Sequence, residues 1–563
     1  VHCTIHPSFY PEGMSNVLLE SCACGRPIIT TDRSGCKEIV EDGINGYLWV
    51  HPQGGGLSWY DRDKDELLPF YNDPLSASWK FSNKLHSMLV DQQGNLWFCT
   101  HSKGLEKATF YGRQFKMFPQ TDEAFDLNEN TVRALFEDKN HRIWMGKRNG
   151  KIEIYDGMFN YQGYLTASGT IAKSGKPLDG VAYHIMEDSQ GDIWVATKGR
   201  GIIRLHPHGE RFEVTSYEHD EDDIYSLSHN SVYWLHEDKN HRIWVATFGG
   251  GLNYMEKTDN GEYVFINSRN NLKGFPIDQC YRVRHVTSDS DGNIWVGTSD
   301  GVLCFKENFK SPESIKFYHY VMDPTETKSL SSNNVYHILC TQKGEVYMAT
   351  FGGGLNKLEQ LDAEGNASFK VYSKEDGLHS DILMSLEEDV EGNLWMSTEN
   401  GLSKFVVEQQ RFENYNERDF GKKVRFEEST SLCLCNNAVA FGTAKGVIYF
   451  SPLIIEKSHY VPPVNFFDLK IANKEVIPGK EGSVLSQSLN DTEHLVLSHE
   501  QNFITISYAA LDFVYPENIR YAFFLDGFDE EWIYVDRQRS ATYTNLQKGT
   551  YTFRVRSTNS DGV

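Results

Sequence analysis

A segment centred on tryptophan recurs along most of this chain, and this recurrence constrains the fold more than any other feature. One copy is Arg242–Thr247, which follows an apolar run and a polar turn and precedes the glycine-rich turn Gly249–Gly251. The aromatic position returns about every 49 residues. Its occupants are Trp49, Trp97, Trp144, Trp194, Trp244, Trp295, Tyr347, Trp395 and, by register, Ala440. Short apolar segments and turns at this period, without helical periodicity, predict the blades of a β-propeller.

The repeated tryptophan is expected to be structural. A blade alone exposes two apolar faces, and a large aromatic side chain at one register can fill the space between neighbouring sheets. Nine copies exceed the roughly four to eight blades of a usual ring. We therefore predict one seven-blade ring built from the copies at Trp144 through Ala440. The copies at Trp49 and Trp97 are then the end of a preceding, truncated propeller, and a single eight-blade ring is the alternative.

The composition excludes several classes of function. The 563 residues carry a formal net charge of −23, so the chain lacks the basic footprint that nucleic acids and anionic membranes require. No run of about 18 apolar residues occurs, and ten cysteines are too few for a disulfide scaffold. The first residue is Val1 and no leader pattern follows it, so we expect the protein to continue beyond both ends of this sequence.

The pattern changes after Pro452. In the segment 550–556, Tyr551, Phe553 and Val555 fall on one face of a strand, and Thr552, Arg554 and Arg556 fall on the other. The segment 503–508 alternates in the same way. Strands of this kind over about 110 residues predict a β-sandwich.

The first 48 residues have an α/β character. Val17–Gly25 predicts a helix, and Pro27–Thr31 predicts a buried parallel strand. Two glutamates separated by seven residues precede that strand, and the whole unit resembles the donor half of retaining GT-B glycosyltransferases. The resemblance implies a diphosphate at the helix N-terminus, with the ribose at Glu20 and the sugar at Glu12. The nucleotide-sugar residues implied in this way are Glu12, Gly13, Ser15, Asn16 and Glu20. Because the acceptor half is missing from this window, we expect the fragment to be inactive.

The fold class predicted is therefore mainly β, with a seven-blade propeller, remnant blades of a second propeller, a C-terminal sandwich and a short N-terminal α/β fragment. The predicted domains are 1–48 (glycosyltransferase fragment), 49–120 (last blades of a truncated propeller), 121–455 (complete propeller) and 456–563 (sandwich).

Two resemblances assign a function to the β part. The repeat 289–298, an Asp-x-x-Gly-x-Ile-Trp-x-Gly-Thr pattern, resembles the two-component-regulator propeller. The segment 521–532, with Tyr543 and Tyr551, resembles the Y-Y-Y domain that follows such propellers in Bacteroides-type hybrid sensors. The resemblance implies a periplasmic, non-enzymatic sensor region that binds an oligosaccharide. It also implies a membrane and kinase region of the same protein outside this chain. A homodimer is left open, and the different-class alternative is a glycosyltransferase acting through residues 1–48.

A candidate ligand site follows from the repeat register. The same register, two residues before a recurring apolar position, is occupied by Arg133, Tyr183, Tyr233, Arg284, Tyr336 and Met384. If this strand lines the central channel, tyrosine faces and forked arginine donors form a ring suited to sugars. Packing between blades is the alternative. The basic turns that contain Arg148 and Arg200 are secondary candidates, with solvated turn charges as the alternative.

The sequence predicts no metal site and no cofactor. The spacing of Cys3, Cys22, Cys24 and Cys36 matches no zinc ribbon, and the histidines show no ligand spacing. The glycine-rich segments 248–252 and 351–355 lack the residues of a phosphate loop and indicate turns. The segment 289–293 resembles the start of a calcium loop but lacks its later ligands, which favours a hairpin turn.

Overall fold

The structure of the protein is a computed structural model. It describes isolated strands before residue 91, parts of 91–119, and residues 130–562 apart from positions 259, 421, 456, 459 and 536. Two compact units are present, one formed by Val1–Gly112 with Glu456–Val563 and the other by Arg113–Ile455. Among the helices of the described residues, none has the length and apolar character needed to span a membrane.

The first unit begins with short strands. β1 and β2 pair in parallel, and two three-stranded antiparallel sheets follow, β3 to β5 and β6 to β8. Their bounds are β1 (Thr4–His6), β2 (Ile28–Thr30), β3 (Trp49–Val50), β4 (Leu57–Asp61), β5 (Glu66–Phe70), β6 (Leu85–Val90), β7 (Leu96–Thr100) and β8 (Gly104–Ala108). The strand predicted within 27–31 is thus confirmed with its parallel partner, whereas the predicted helix 17–25 lies outside the described residues.

The second unit is a ring of seven sheets, numbered here as blades 1 to 7. Blade 1 contains β10 (Val132–Glu137), β11 (Ile143–Lys147), β12 (Ile152–Tyr155), β13 (Tyr161–Leu165) and β14 (Ile171–Ala172). Blade 2 contains β15 (Val181–Glu187), β16 (Ile193–Lys198), β17 (Ile202–His208) and β18 (Arg211–Tyr217). Blade 3 contains β19 (Val232–Glu237), β20 (Ile243–Thr247), β21 (Gly251–Lys257) and β22 (Tyr263–Ile266). Blade 4 contains β23 (Val283–Ser288), β24 (Asn293–Thr298), β25 (Gly301–Lys306) and β26 (Tyr318–Tyr320).

Blades 5 and 6 continue the same order. Blade 5 contains β27 (Val335–Cys340), β28 (Val346–Thr350), β29 (Gly354–Leu361) and β30 (Ala367–Tyr372). Blade 6 contains β31 (Leu383–Glu388), β32 (Leu394–Thr398), β33 (Leu402–Val406) and β34 (Arg411–Tyr415). Short helices lie in the connections, α1 (Ile277–Cys280), α2 (Glu417–Phe420) and 3-10 turns at Pro312–Ser314, Lys374–Asp376 and Pro452–Ile454.

Blade 7 closes the ring with strands from both ends of the unit. It contains β35 (Phe426–Cys433), β36 (Val439–Thr443) and β37 (Gly446–Phe450), and its outer strand is β9 (Lys116–Phe118). Met117 of β9 pairs with Ile448 of β37. The first strand of every blade contacts that of the next, including β10 with β35, so these strands line the channel. The seven-blade ring predicted from the repeat is confirmed, and the eight-blade alternative is wrong.

An aspartate fixes the tryptophan in most blades. In blade 3, the Oδ2 atom of Asp238 accepts the indole N–H of Trp244 at 2.9 Å, while Oδ1 accepts the backbone N–H groups of Asn240 and Arg242. The same indole bond, at 2.7 to 2.9 Å, joins Trp97 to Asp91, Trp144 to Asp138, Trp194 to Asp188, Trp295 to Asp289 and Trp395 to Asp389. The five repeat tryptophans of blades 1 to 4 and 6 are 0% exposed, which confirms their structural role.

The C-terminal segment forms two facing sheets. The first, in the order β39-β38-β40-β43, and the second, β42-β41-β44, enclose one apolar core. Their bounds are β38 (Val464–Ile471), β39 (Lys474–Glu475), β40 (Ile504–Ala510), β41 (Tyr521–Asp526), β42 (Ile533–Val535), β43 (Ser540–Tyr543) and β44 (Thr552–Ser557), with a 3-10 turn at Leu489–Asp491. Within the same unit, the ring of Phe513 meets that of Trp97 of β7 edge-on at 5.4 Å.

The predicted fold class is confirmed. The glycine-rich segments 248–252 and 351–355 form the turns that lead from β20 into β21 and from β28 into β29, and Asp289–Asn293 spans the hairpin turn between β23 and β24, as predicted. The domain boundaries at 48, 120 and 455 stay predictions. The strand that completes blade 7 lies before residue 121.

We expect Asp238→Ala to lower the free energy of unfolding by about 3 kcal/mol, because it leaves the buried indole N–H of Trp244 without an acceptor. Asp362→Ala is the matched control, since Asp362 makes the same turn bonds to Glu364 and Asn366 but holds no tryptophan. Denaturant unfolding of both variants measures the difference. Equal losses in the two variants would show that the indole bond adds nothing.

Candidate functional site

Each predicted ring residue is the extra residue of a β-bulge. In blade 1, Val132 pairs with Lys147 and Ala134 with Gly146, so Arg133 has no partner across the sheet. The same shift occurs in the first strands of blades 2 to 6, where the extra residues are Tyr183, Tyr233, Arg284, Tyr336 and Met384. A bulge re-aims side chains and increases local twist. Its repetition directs one residue from each of blades 1 to 6 towards the channel, at the end where the first strands begin.

Five of the predicted residues form one chain of contacts together with Phe248 and Phe351. The sequence places these two phenylalanines in glycine-rich turns and does not predict them as site residues. Ring centroids of Tyr183 and Tyr233 are 4.7 Å apart, and Phe248 stacks on Tyr233 at 4.7 Å. The remaining contacts are Arg133 over Tyr183 (5.2 Å), Arg284 over Phe248 (5.1 Å), Arg284 over Tyr336 (4.3 Å) and Tyr336 beside Phe351 (5.3 Å). Phe351 is 42% exposed, so this chain of contacts reaches solvent. We call these seven residues the channel ring.

The first strand of blade 7 enters this ring. Between Phe426 and Ser431 the pairing of β35 with β36 is interrupted, and the intervening residues 427–430 bond instead to the other blades. The Ser429 hydroxyl donates to the carbonyl of Tyr336 at 2.9 Å, and the Thr430 hydroxyl donates to the carbonyl of Arg133 at 3.0 Å. We call residues 427–430 the plug, because this segment bridges blade 7 to blades 1 and 5.

The plug neutralises both arginines of the ring. Glu427 pairs with Arg133 at 3.0 Å, and Glu428 pairs with Arg284 at 2.8 Å. Burial raises the pKa of Glu427 above its usual range, although the nearby arginines oppose this shift. The Nε–H groups of Arg133 and Arg284 are buried and have no acceptor among the described residues. Each guanidinium therefore keeps one donor available while its charge is compensated.

A second layer of imidazole and indole rings lies one residue further along the same strands. His184 stacks on Trp234 at 3.6 Å, and His285 lies 4.2 Å from both Trp234 and His337. The histidines show no ligand spacing in the sequence, yet the ring brings these three together, because the bulge turns two successive residues inwards. Neither ring nitrogen of His285 has a hydrogen-bond partner among the described residues.

Burial keeps this layer uncharged. It lowers the pKa of His184 and of His337 to about 3 and that of His285 well below its usual value, because a charged imidazole is poorly solvated in the channel. Neighbouring histidines lower the pKa of His184 further, by charge repulsion. His337 in turn accepts the backbone N–H of Leu386 through Nδ1, which requires the neutral ring.

Three predicted residues do not join the contact chain. Met384 occupies the bulge of blade 6 and is half-buried. Arg148 and Arg200 are exposed on turns at the same end of the channel, and Arg200 pairs with Asp179 and Glu218. The nucleotide-sugar residues implied by resemblance, Glu12, Gly13, Ser15, Asn16 and Glu20, lie outside the described residues, as do Cys3, Cys22, Cys24 and Cys36.

A polar cleft of about 980 Å³ lies away from the channel, between blades 4 and 5. Its lining includes Asp289, Lys306, Glu345 and Lys357, and Glu345 pairs with Lys357 at 2.5 Å. The charges of this cleft are mostly satisfied within their own blades. The convergent aromatic and arginine groups of the channel ring make it the stronger candidate site.

Three family models match segments of the chain. The two component regulator propeller matches residues 126–146, 177–199, 226–249 and 279–300, the Y_Y_Y domain matches 512–563, and glycosyl transferases group 1 match 1–55. The chain carries two component regulator propeller repeats and a Y_Y_Y domain. All three resemblances predicted from the sequence are therefore confirmed.

Two relatives extend the comparison. Over 451 residues the chain is 24% identical to histidine kinase P4 of Formosa agariphila, an alignment that covers 80% of this chain and 31% of that protein. The extracellular domain of the putative hybrid two component system BT3049 from B. thetaiotaomicron is similar in fold, with a TM-score of 0.67 and 22% identity. That similarity covers 92% of this chain and 64% of that chain. The chain thus spans about a third of the curated relative that it matches.

We expect the free energy of unfolding to fall as the pH drops from about 6.5 towards 3. In this range buried histidines such as His337 stay neutral in the folded protein but become protonated in the unfolded chain, which stabilises the unfolded state. His337→Asn should flatten this dependence by about 1.4 kcal/mol per pH unit in that range. The exposed His208→Asn is the matched control. Chemical unfolding at a series of pH values gives the slopes, and an unchanged slope in His337→Asn would contradict the assignment.

Proposed function

We propose that the chain is the extracytoplasmic, ligand-sensing region of a two-component signalling protein, placed on the periplasmic side of the inner membrane. The propeller repeats, the Y_Y_Y domain behind them and the similarity to histidine kinase P4 support this role. In this proposal the region catalyses no reaction itself. The kinase that it controls is a further part of the same protein.

The ligand proposed is an oligosaccharide, and the channel ring is the observation that carries this assignment. The aromatic rings of Tyr183, Tyr233 and Phe248 contact one another. Arg284 links Phe248 to Tyr336, which lies beside the solvent-exposed Phe351. Such faces pack well against the apolar C–H faces of sugar rings, while arginine donors bond to hydroxyl or carboxylate oxygens. The buried Nε–H groups of Arg133 and Arg284 are donors without a protein acceptor among the described residues.

The plug supplies the element that a ligand could shift. Residues 427–430 hold blade 7 to blades 1, 4 and 5 through two ion pairs and two hydroxyl bonds. A ligand that binds better when these bonds are rearranged shifts the ring towards that arrangement, and only such a difference in affinity can carry a signal. The Y_Y_Y domain then passes the change to the membrane region in this proposal.

We expect Tyr233→Ala to weaken oligosaccharide binding about tenfold or more, because Tyr233 is in the centre of the aromatic surface. Tyr225→Ala, which removes a tyrosine that is 41% exposed in a loop outside the channel, is the control. Calorimetry against a panel of neutral and acidic oligosaccharides measures both. Equal affinities in wild type and Tyr233→Ala would exclude the channel ring as the site.

The same calorimetry with UDP- and GDP-sugars tests the alternative of a glycosyltransferase, which the match at residues 1–55 supports. Nucleotide-sugar binding that is lost in Glu20→Gln, with no oligosaccharide binding by the chain, would replace the sensor proposal.

We expect Glu428→Gln to raise the affinity for acidic oligosaccharides and to lower thermal stability, because it leaves the charge of Arg284 uncompensated in a largely buried site. Glu413→Gln is the matched control, since Glu413 pairs with the exposed Arg411 on the outer strand of blade 6. Affinity by calorimetry and unfolding by differential scanning give the two readouts. Acidic ligands that bind Glu428→Gln no better than wild type would argue against Arg284 as their contact.

A further inference from the structure

Neighbouring blades are joined by a repeated bond outside the channel layers. The glutamate at the end of the first strand accepts, through Oε2, a backbone N–H from a turn of the preceding blade. The pairs are Cys435 to Glu137 (2.8 Å), Lys139 to Glu187 (3.1 Å), Ser189 to Glu237 (2.8 Å) and Gln342 to Glu388 (2.8 Å). The carboxylate of each pair is held in place by this bond.

At two of these junctions a histidine joins the glutamate. Residues 137–144 and 237–244 have the same sequence, Glu-Asp-Lys-Asn-His-Arg-Ile-Trp. His141 and His241 both adopt positive φ angles, 59° and 60°, a conformation that few residues other than glycine take up. In each case the imidazole Nδ1 lies close to Oε1 of the glutamate, at 3.1 and 3.0 Å.

The third group differs between the two junctions. Between blades 2 and 3 it is Ser189, whose hydroxyl donates to Glu237 at 2.6 Å and lies 2.9 Å from Nδ1 of His241. Between blades 7 and 1 it is Cys435. There the carboxylate oxygen of Glu137, a ring nitrogen of His141 and the thiol sulfur all lie within 4.8 Å of one another.

Cys435 changes the chemistry of its junction. Thiolate, imidazole and carboxylate are the three side-chain ligands that Zn²⁺ uses, and a tetrahedral ion with bonds of about 2.0–2.3 Å holds neighbouring ligands about 3.5 Å apart. The 3.1 Å separation of Glu137 and His141 is near that value. A serine hydroxyl is no substitute for a thiolate here, because soft sulfur ligands select zinc.

We propose that Glu137, His141 and Cys435 bind one Zn²⁺ ion at the junction between the last and the first blade. His141 and Cys435 are exposed, so the ion can enter from solvent and a water molecule can take the fourth position. The thiol proton goes to solvent as the Zn–S bond forms, and the thiolate and carboxylate then balance the charge of the ion. Since Cys435 and Glu137 are 298 residues apart, no local sequence spacing marks the site.

The location gives the ion a structural role. The junction of blades 7 and 1 is where the ring closes on itself, and its two sides meet only after the whole propeller is made. A bond through zinc ties these sides together and stabilises the folded ring by mass action. The other six junctions are between blades that are adjacent in the chain.

The experiment uses the full chain, reduced, freed of metal with a chelator and titrated with Zn²⁺ by calorimetry. Co²⁺ provides the second readout, through a thiolate charge-transfer band in its absorption spectrum. We expect one equivalent to bind and to raise the melting temperature. Cys435→Ser, which turns this junction into the serine form found between blades 2 and 3, should weaken binding at least about tenfold and abolish the band.

Ser189→Cys is the matched gain of function. It should add a second equivalent of zinc, because it places a thiol beside the same octapeptide. Unchanged zinc affinity in Cys435→Ser would overturn the proposal. This result is also expected if the cysteines of the first 36 residues bind the zinc instead. Were Cys435→Ser to lose its β-sheet circular dichroism, the decision would fall to Ser189→Cys, and retention of a single equivalent there would overturn the proposal.

Discussion

The hydrogen bond between an aspartate and a buried indole is the interaction on which the ring depends. One oxygen of Asp238 closes the turn between the first two strands of its blade, and the other holds Trp244 at the interface with the next blade. Local turn geometry and packing between blades are therefore coupled through one carboxylate. Blades 5 and 7 lose both partners together, with Thr341 and Tyr347 in one and Leu434 and Ala440 in the other. The two residues are lost together because a buried aspartate without the indole, or a buried indole N–H without the aspartate, would lack its hydrogen-bond partner.

The repeat predicted the architecture well because a propeller is nearly one-dimensional in sequence. Period, blade number and the register of the channel residues all follow from aligning one copy with the next. The plug was not predictable in this way, because Glu427 and Glu428 lie in the most degenerate copy and bond to blades 1 and 4. The histidine layer was missed for another reason. A plain strand alternates its faces, so one residue after a channel residue is expected to point away, and only the bulge reverses this.

The balance of charge within the channel determines which ligands it can accept. Arg133 and Arg284 are paired with carboxylates in a partly desolvated setting, where breaking an ion pair costs more than at the surface. In the proposed site, a neutral sugar would contact the aromatic faces without breaking either pair. An acidic sugar would have to compete with Glu427 or Glu428. The uncharged imidazole layer beneath the ring adds no positive charge that could help it.

The strand exchange in blade 7 has an evolutionary consequence. Because β9 and β37 are hydrogen-bonded neighbours, the polypeptide enters and leaves the ring through adjacent strands of a single sheet, roughly 5 Å apart. A module whose two ends coincide can be copied, deleted or spliced into another gene with little displacement of its flanking segments. A gene that encodes several such rings in tandem can therefore gain or lose a ring by recombination.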